Sequence, residues 1–103
     1  MVVLTVMYPA KDGGRFDADY YNATHIPLVK EAFTSTGLKS VQVLQGLSAG
    51  GGGKAPFVMM ANLAFESPAA LQASVAGPRA GEVFADIANF TDIAPLTQVS
   101  AAG

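Results

Sequence analysis

His25 is the only histidine in the chain, and it lies in FDADYYNATHIPLV, residues 16 to 29, together with two of the three tyrosines, Tyr20 and Tyr21. An imidazole titrates near neutrality, so it can act as general acid, general base or hydrogen-bond partner of a ligand. On a 3.6-residue repeat Tyr21, His25 and Leu28 fall on one stripe, and Phe16, Tyr20, Thr24 and Pro27 fall on an adjacent one. One helical face therefore presents an imidazole beside a phenol. Pro27 removes a backbone donor and its ring presses on the carbonyl of Ala23, which predicts a kink or split there and sets His25 at an irregular turn facing a cavity. The competing reading makes His25 a buried, satisfied residue that ties the broken turn together, because no metal or triad partner stands near it in sequence.

A second chemically useful stretch is RAGEVFADIANF, residues 79 to 90. Val83, Ile87 and Phe90 share one helical face, and Glu82, Asp86 and Asn89 share a neighbouring one. Asp86 is the candidate to orient His25, so that Tyr21, His25 and Asp86 form the candidate catalytic set. With a carboxylate behind it, the imidazole can exchange a proton with an enolisable or phenolic substrate. Otherwise Asp86 is a solvated surface carboxylate, and Tyr20 and Tyr21 are core residues with one hydroxyl reaching water. An apolar cleft between sheet and helices, lined by Tyr8, Tyr20, Leu28, Phe84 and Phe90, is expected to take a small hydrophobic molecule.

The elements that must position these groups follow from periodicity. Residues 2 to 8, VVLTVMY, read as a strand that is apolar on both faces. Asp17 is a fair N-cap, and the helix it opens runs through Pro27 and stops before Gly37. Residues 38 to 47 alternate as a strand with one drier face, and 57 to 65 form another strand apolar on both sides. Ser67-Pro68 starts a short helix that breaks at Gly77-Pro78, residues 79 to 90 give a second helical piece, and 93 to 100 close the chain as a strand with Pro95 early in it. This is the β-α-β-β-α-β order of an α+β, ferredoxin-like fold: an antiparallel four-stranded sheet with helices on one face. The uncovered face, apolar as well, calls for a second copy, so a homodimer closing a barrel-like core is expected.

Composition narrows the functions. A chain of 103 residues makes one domain, 1–103, and buries roughly two thirds of its unfolded surface. Only 14% of residues are charged, against roughly 25% in an average soluble chain, which again points to a buried oligomer surface. The net charge of −2 and the lack of a basic cluster argue against nucleic acid as a partner. An RNA-recognition module shares the element order but needs exposed aromatics and a basic surround. With no cysteine there is no disulfide, thiolate nucleophile or Cys-based metal site. SAGGGGKAP, residues 48 to 56, lacks the GK[ST] ending and following helix of a phosphate loop, and reads as a mobile hairpin connection. No cofactor and no metal are expected. The amino-terminal MVVLTVMYPA has no positive n-region and is far shorter than the ~20 residues of a membrane span. No membrane partner and a cytoplasmic location are expected.

MYP closing the first strand, DADYYNATHIPL opening the first helix and ADIANFTD leading into the last strand together resemble the EthD family, named for ethyl tert-butyl ether degradation. The resemblance spans essentially the whole chain, and the tyrosines followed by Thr24-His25-Ile26-Pro27-Leu28 are its most specific part. It implies a dimeric α/β-barrel protein. It also implies a place beside oxidative degradation pathways, since the family is named from a gene found with an oxygenase system that attacks the ether. Some members carry a reductase label, and related domains occur in fungal polyketide tailoring. The ligand implied is an ether, an aromatic or a polyketide-like molecule. No glycine fingerprint or redox-metal ligand set in this chain supports a reductase. Two alternatives stand beside the enzyme: a non-catalytic accessory or carrier protein of an oxygenase system, and a cofactor-free monooxygenase.

Overall fold

The run of β-branched and apolar residues at the start of the chain becomes β1 (Val2–Pro9), an inner strand of the sheet in a computed structural model that describes residues 1–102. There follow α1 (Ala18–Tyr20), a π-helical turn (Tyr21–His25), α2 (Ile26–Phe33), a 3-10 turn (Thr34–Thr36), β2 (Leu38–Gln45), β3 (Phe57–Phe65), α3 (Pro68–Val75), α4 (Ala80–Asp86), a second 3-10 turn (Ile87–Asn89) and β4 (Leu96–Ala101). The sheet order is β2-β3-β1-β4 with every pair antiparallel. With the helices on one face, this is the α+β, ferredoxin-like arrangement expected from the sequence.

Alternation along the strands assigns the two faces. Leu4, Val6 and Tyr8 of β1 and Met59, Ala61, Leu63 and Phe65 of β3 point under the helices, and all four of those β3 residues are buried. One core cluster packs Val29, Ala32 and Phe33 of α2 against Leu63, Phe65, Leu71 and Val83. A second, at the other end, gathers Tyr8, Tyr21, Ile26, Met59, Phe90 and Ile93. On the opposite face the register aligns residues into rows across β2, β3, β1 and β4: Leu44, Met60, Met7, Leu96; then Gln42, Asn62, Thr5, Gln98; then Ser40, Ala64, Val3, Ser100. The middle row is hydrogen-bonded, Thr5 donating to Asn62 at 2.8 Å and Asn62 to Gln42 at 3.2 Å. None of the three rows carries a charge.

The caps follow the sequence reading. Asp17 accepts from the amide of Tyr20 at 3.0 Å, and Ser67 accepts from the amide of Ala70 at 3.1 Å ahead of Pro68. Gly37 ends the helical segment in the left-handed region at φ 110°. Two boundaries differ, and the helix break takes its own form. The irregularity expected at the Ala23 carbonyl is a wide turn that ends at His25: the amide of Ile26 bonds to the carbonyl of Tyr21, five residues back, and Pro27, with no amide to give, follows at the start of α2. β2 ends at Gln45 rather than Leu47; Gly46 still donates its amide to the carbonyl of Val58 at 2.9 Å, and it is glycine there because a Cβ would sit 2.0 Å from the carbonyl oxygen of Phe57. β4 begins at Leu96 rather than Ile93, since Ile93 turns into the aromatic cluster and Pro95 has no amide to give a ladder.

Candidate functional site

The start of the helical segment is stitched to the end of α4, and this brings the two chemical stretches together. Phe16 pairs with Thr91 in an isolated bridge, the amide of Asp17 donates to the carbonyl of Phe90 at 2.8 Å, and the amide of Arg15 donates to Asp92 Oδ1 at 2.8 Å. The π turn then carries Tyr21 and His25 inward on one face, their rings stacked with centroids 5.6 Å apart. His25 is 5% exposed. Its Nδ1 lies 2.9 Å from Asp86 Oδ2. Asp86 is 9% exposed, not a solvated surface group, and its Oδ1 accepts from the hydroxyl of Tyr20 at 2.6 Å and from Asn89 Nδ2 at 3.0 Å. Glu82, its partner in the sequence pattern, stays outside and pairs with Arg79.

Burial opposes ionisation of the Asp86 carboxyl, but hydrogen bonds from Tyr20, Asn89 and His25, with the attraction of His25, outweigh it and hold the group below the usual carboxylate range. For His25 burial is the larger influence and lowers its proton affinity, against the hydrogen bond and charge of Asp86, which raise it. The pair is therefore a neutral imidazole beside a carboxylate. An ionised carboxylate only accepts, so the imidazole proton sits on Nδ1 and Nε2 keeps a free lone pair.

That lone pair has no partner among the described residues, yet no fully sealed side-chain polar atom among them lacks one. Nε2 is therefore open to accessible space, and His25 borders a cavity of about 120 Å³ between sheet and helices. Its wall is hydrocarbon almost throughout, from Leu4 and Val6 of β1, Val29 and Phe33 of α2, Leu63 of β3 and Val83 of α4, and it includes Phe84, which is 52% exposed.

Of the residues singled out from sequence, Tyr8, Tyr21, His25 and Phe84 border the cavity. Asp86 stands behind His25, and Tyr20 behind Asp86. Phe90 is wholly buried against the imidazole, with centroids 4.6 Å apart, and backs the site without lining it. Leu28 is half-buried against the main core and does not border the cavity. The wide turn shifts the helical phase by one residue, so Val29 follows His25 inward. Asn89 holds Asp86 from the far side; its i+3 spacing was visible in sequence, its role was not. Val83, Ile87, Pro95 and Thr97 complete the wall on the α4 and β4 side. Among the described residues no three metal-ligating side chains gather, and no helix is long and apolar enough to cross a membrane.

The chain is an α+β protein of ferredoxin-like fold, with an apolar cavity between sheet and helices that is bordered by His25 of a histidine–carboxylate pair. The profile of the EthD domain matches residues 15–94, and the chain belongs to the EthD family. Among solved structures, an EthD-like protein from Ralstonia eutropha JMP134 is 36% identical, with a TM-score of 0.87 over 96% of this chain and 88% of its own. An ethyl tert-butyl ether degradation family protein from Bacillus halodurans C-125 is 19% identical, with a TM-score of 0.80 over 100% of this chain and 99% of its own. A protein from Arabidopsis thaliana shares the fold at 16% identity and TM-score 0.67, over 100% and 96% of the two chains. No curated protein matches the chain by sequence.

Proposed function

We propose that this protein binds a small hydrophobic molecule in the cavity between sheet and helices, and that His25 moves a proton to or from it. The observation that carries this reading is the orientation of the imidazole: Nδ1 is held 2.9 Å from Asp86 while Nε2 is left free at an apolar cavity. Asp86 fixes the tautomer and stabilises the imidazolium that forms when Nε2 takes a proton. Tyr20 and Asn89 fix Asp86 in turn and act as positioning residues. Such a general base contributes about 10²- to 10⁴-fold to a proton-transfer rate. A dry cavity of roughly 150 Å³ holds one benzene ring, so about 120 Å³ suits a single ring or short chain. Ether, aromatic and polyketide-like molecules of that size fit the family's name and its place beside oxidative degradation.

The working unit in this proposal is a homodimer joined through the helix-free sheet face. Its support is that face's composition: an apolar row of two leucines and two methionines, with Leu44 and Leu96 both well exposed in the single chain, and two neighbouring rows without charge. A second copy offers the same uncharged surface to pair with.

The test compares wild type with His25→Ala for binding of a small aromatic probe and for α-hydrogen exchange on a small ketone in deuterated water. Retained binding with lost exchange is the expected result. Binding without turnover in either protein leaves a carrier or accessory role, and oxygen uptake without added flavin or metal leaves cofactor-free oxygenation.

A further inference from the structure

We infer that Tyr8 and Tyr21 form a two-hydroxyl donor pair for an oxygen that becomes negative beside His25, so that the substrate is a small neutral carbonyl compound with an acidic α-hydrogen and the reaction is enolisation. The inference rests on the proton-transfer reading of His25 and adds the electrophilic half of the site.

Both phenols are 1% exposed, among the most completely buried large side chains. Neither hydroxyl makes a hydrogen bond to the described residues, although Tyr20, the third tyrosine, does. Since no sealed polar atom lacks a partner, the residual accessible area of Tyr8 and Tyr21 must include their hydroxyl oxygens, and both residues border the cavity. Enclosing a phenol hydroxyl without a partner is costly, and the core offers none, so these two donors are completed by whatever occupies the cavity.

Their rings are fixed in advance. Tyr8 packs edge-on against Phe16, Tyr21 and Phe90 with centroids 5.1, 5.9 and 5.7 Å away. Tyr21 is held by Phe16 at 5.2 Å, Phe90 at 5.1 Å and His25 at 5.6 Å. Donors locked by packing at the wall of an apolar cavity stabilise developing charge without reorganising as it forms. They also stay protonated: burial pushes Tyr21 up to about 12, and burial together with the neighbouring Tyr21 pushes Tyr8 higher still. At neutral pH they donate and His25 accepts.

The wall also selects the ligand's charge. No lysine or arginine borders the cavity, and Thr97 is the one other side chain on it with a polar atom. A carboxylate or phosphate would lose its hydration with no cation in return. A neutral carbonyl enters at little cost and acquires charge only in the reaction. The α-hydrogen leaves as a proton to Nε2, the C–H electron pair becomes the carbon–carbon double bond of the enolate, and the carbonyl π pair moves to oxygen, which the two phenols hold. The imidazolium, paired with Asp86, returns the proton to the same carbon or to a conjugated one, giving exchange or double-bond migration. No oxidant or reductant is consumed.

Tyr8→Phe and Tyr21→Phe keep the aromatic packing and remove one donor each. Two readouts apply: α-deuteration of cyclohexanone in deuterated water, and binding of 4-nitrophenol as an enolate mimic, followed by its yellow phenolate absorbance. We expect each substitution to slow deuteration roughly 10²-fold and to weaken phenolate binding, with His25→Gln abolishing deuteration while the phenolate still binds. Deuteration that depends on His25 but is unchanged in both Phe variants overturns the donor pair and leaves the proton-transfer reading standing. Tyrosine-dependent phenolate binding without any deuteration keeps the donor pair and removes the base. Neither binding nor deuteration by wild type overturns the inference.

Discussion

Replacing Asp86 with asparagine tests the centre of the site in a single step. The carboxylate accepts three hydrogen bonds, at 2.6, 2.9 and 3.0 Å, from Tyr20, His25 and Asn89. Asparagine keeps one oxygen, which can still serve Tyr20 and Asn89, but its amide then faces Nδ1. The imidazole must answer by becoming an acceptor there and carrying its proton on Nε2, which turns a base at the cavity into a donor. Hydrogen bonds to a charged group are worth about 1.5–3 kcal/mol and neutral ones about 0.5–1.5. Demoting three of them, less the relief of no longer burying a charge, costs about 2 kcal/mol. In a domain of this size that is a fall of roughly 8–16 °C in Tm. Urea denaturation at pH 7.5 measures the stability loss, and ketone deuteration measures the activity, expected to fall at least 10²-fold. A loss below about 0.5 kcal/mol, the level of an ordinary surface substitution, with deuteration intact would refute the view that Asp86 holds His25.

The proton affinities of His25 and Asp86 are both lowered in the fold from ordinary values of 6.5 and 3.8, so the unfolded chain binds protons first as pH drops. Stability from these groups is therefore present in full above pH 6.5, declines as pH falls below it through the folded value of His25, and declines again below 3.8; His25→Gln should lack the first decline in denaturation curves taken between pH 8 and 4. Gly37→Ala combines a φ of 110° with a Cβ placed 2.4 Å from that of Ala70, and should cost about 2 kcal/mol or more in the same assay. If the proposed homodimer forms through the helix-free sheet face, Met60→Glu, which puts a carboxylate into it, should sediment as a monomer where wild type sediments as a dimer, while a variant that stays dimeric would place the interface elsewhere.

Much of this was legible in the residues. Two-faced apolar alternation in VVLTVMY and FVMMANLAF marked the inner strands, Asp17 and Ser67 marked helix starts, and Asp86 was a candidate to orient the lone histidine, with a solvated surface carboxylate as the alternative. What the pattern hid was phase. A proline signals that a helix is interrupted but not that a residue is inserted, and the insertion between Tyr21 and His25 exchanged Leu28 for Val29 at the cavity. Tertiary partners were hidden too: Tyr20 and Asn89 meet on Asp86 where the pairing of Phe16 with Thr91, 75 positions apart in the chain, joins the two segments. Phe90 carries the same face assignment in sequence as Val83, yet a 3-10 turn before it draws the ring behind the imidazole instead of into the cavity.

The most direct measurement is a nitrogen-15 and proton magnetic resonance titration of the imidazole, which needs no assignment because the chain has a single histidine. The expected spectrum at pH 7.5 is a neutral ring with its proton on Nδ1 and a bare Nε2, gaining a second proton only below pH 6.5. A ring protonated on Nε2, or one that titrates at or above 6.5 as an exposed histidine does, would contradict the reading of His25 as a base held by Asp86 at the cavity wall.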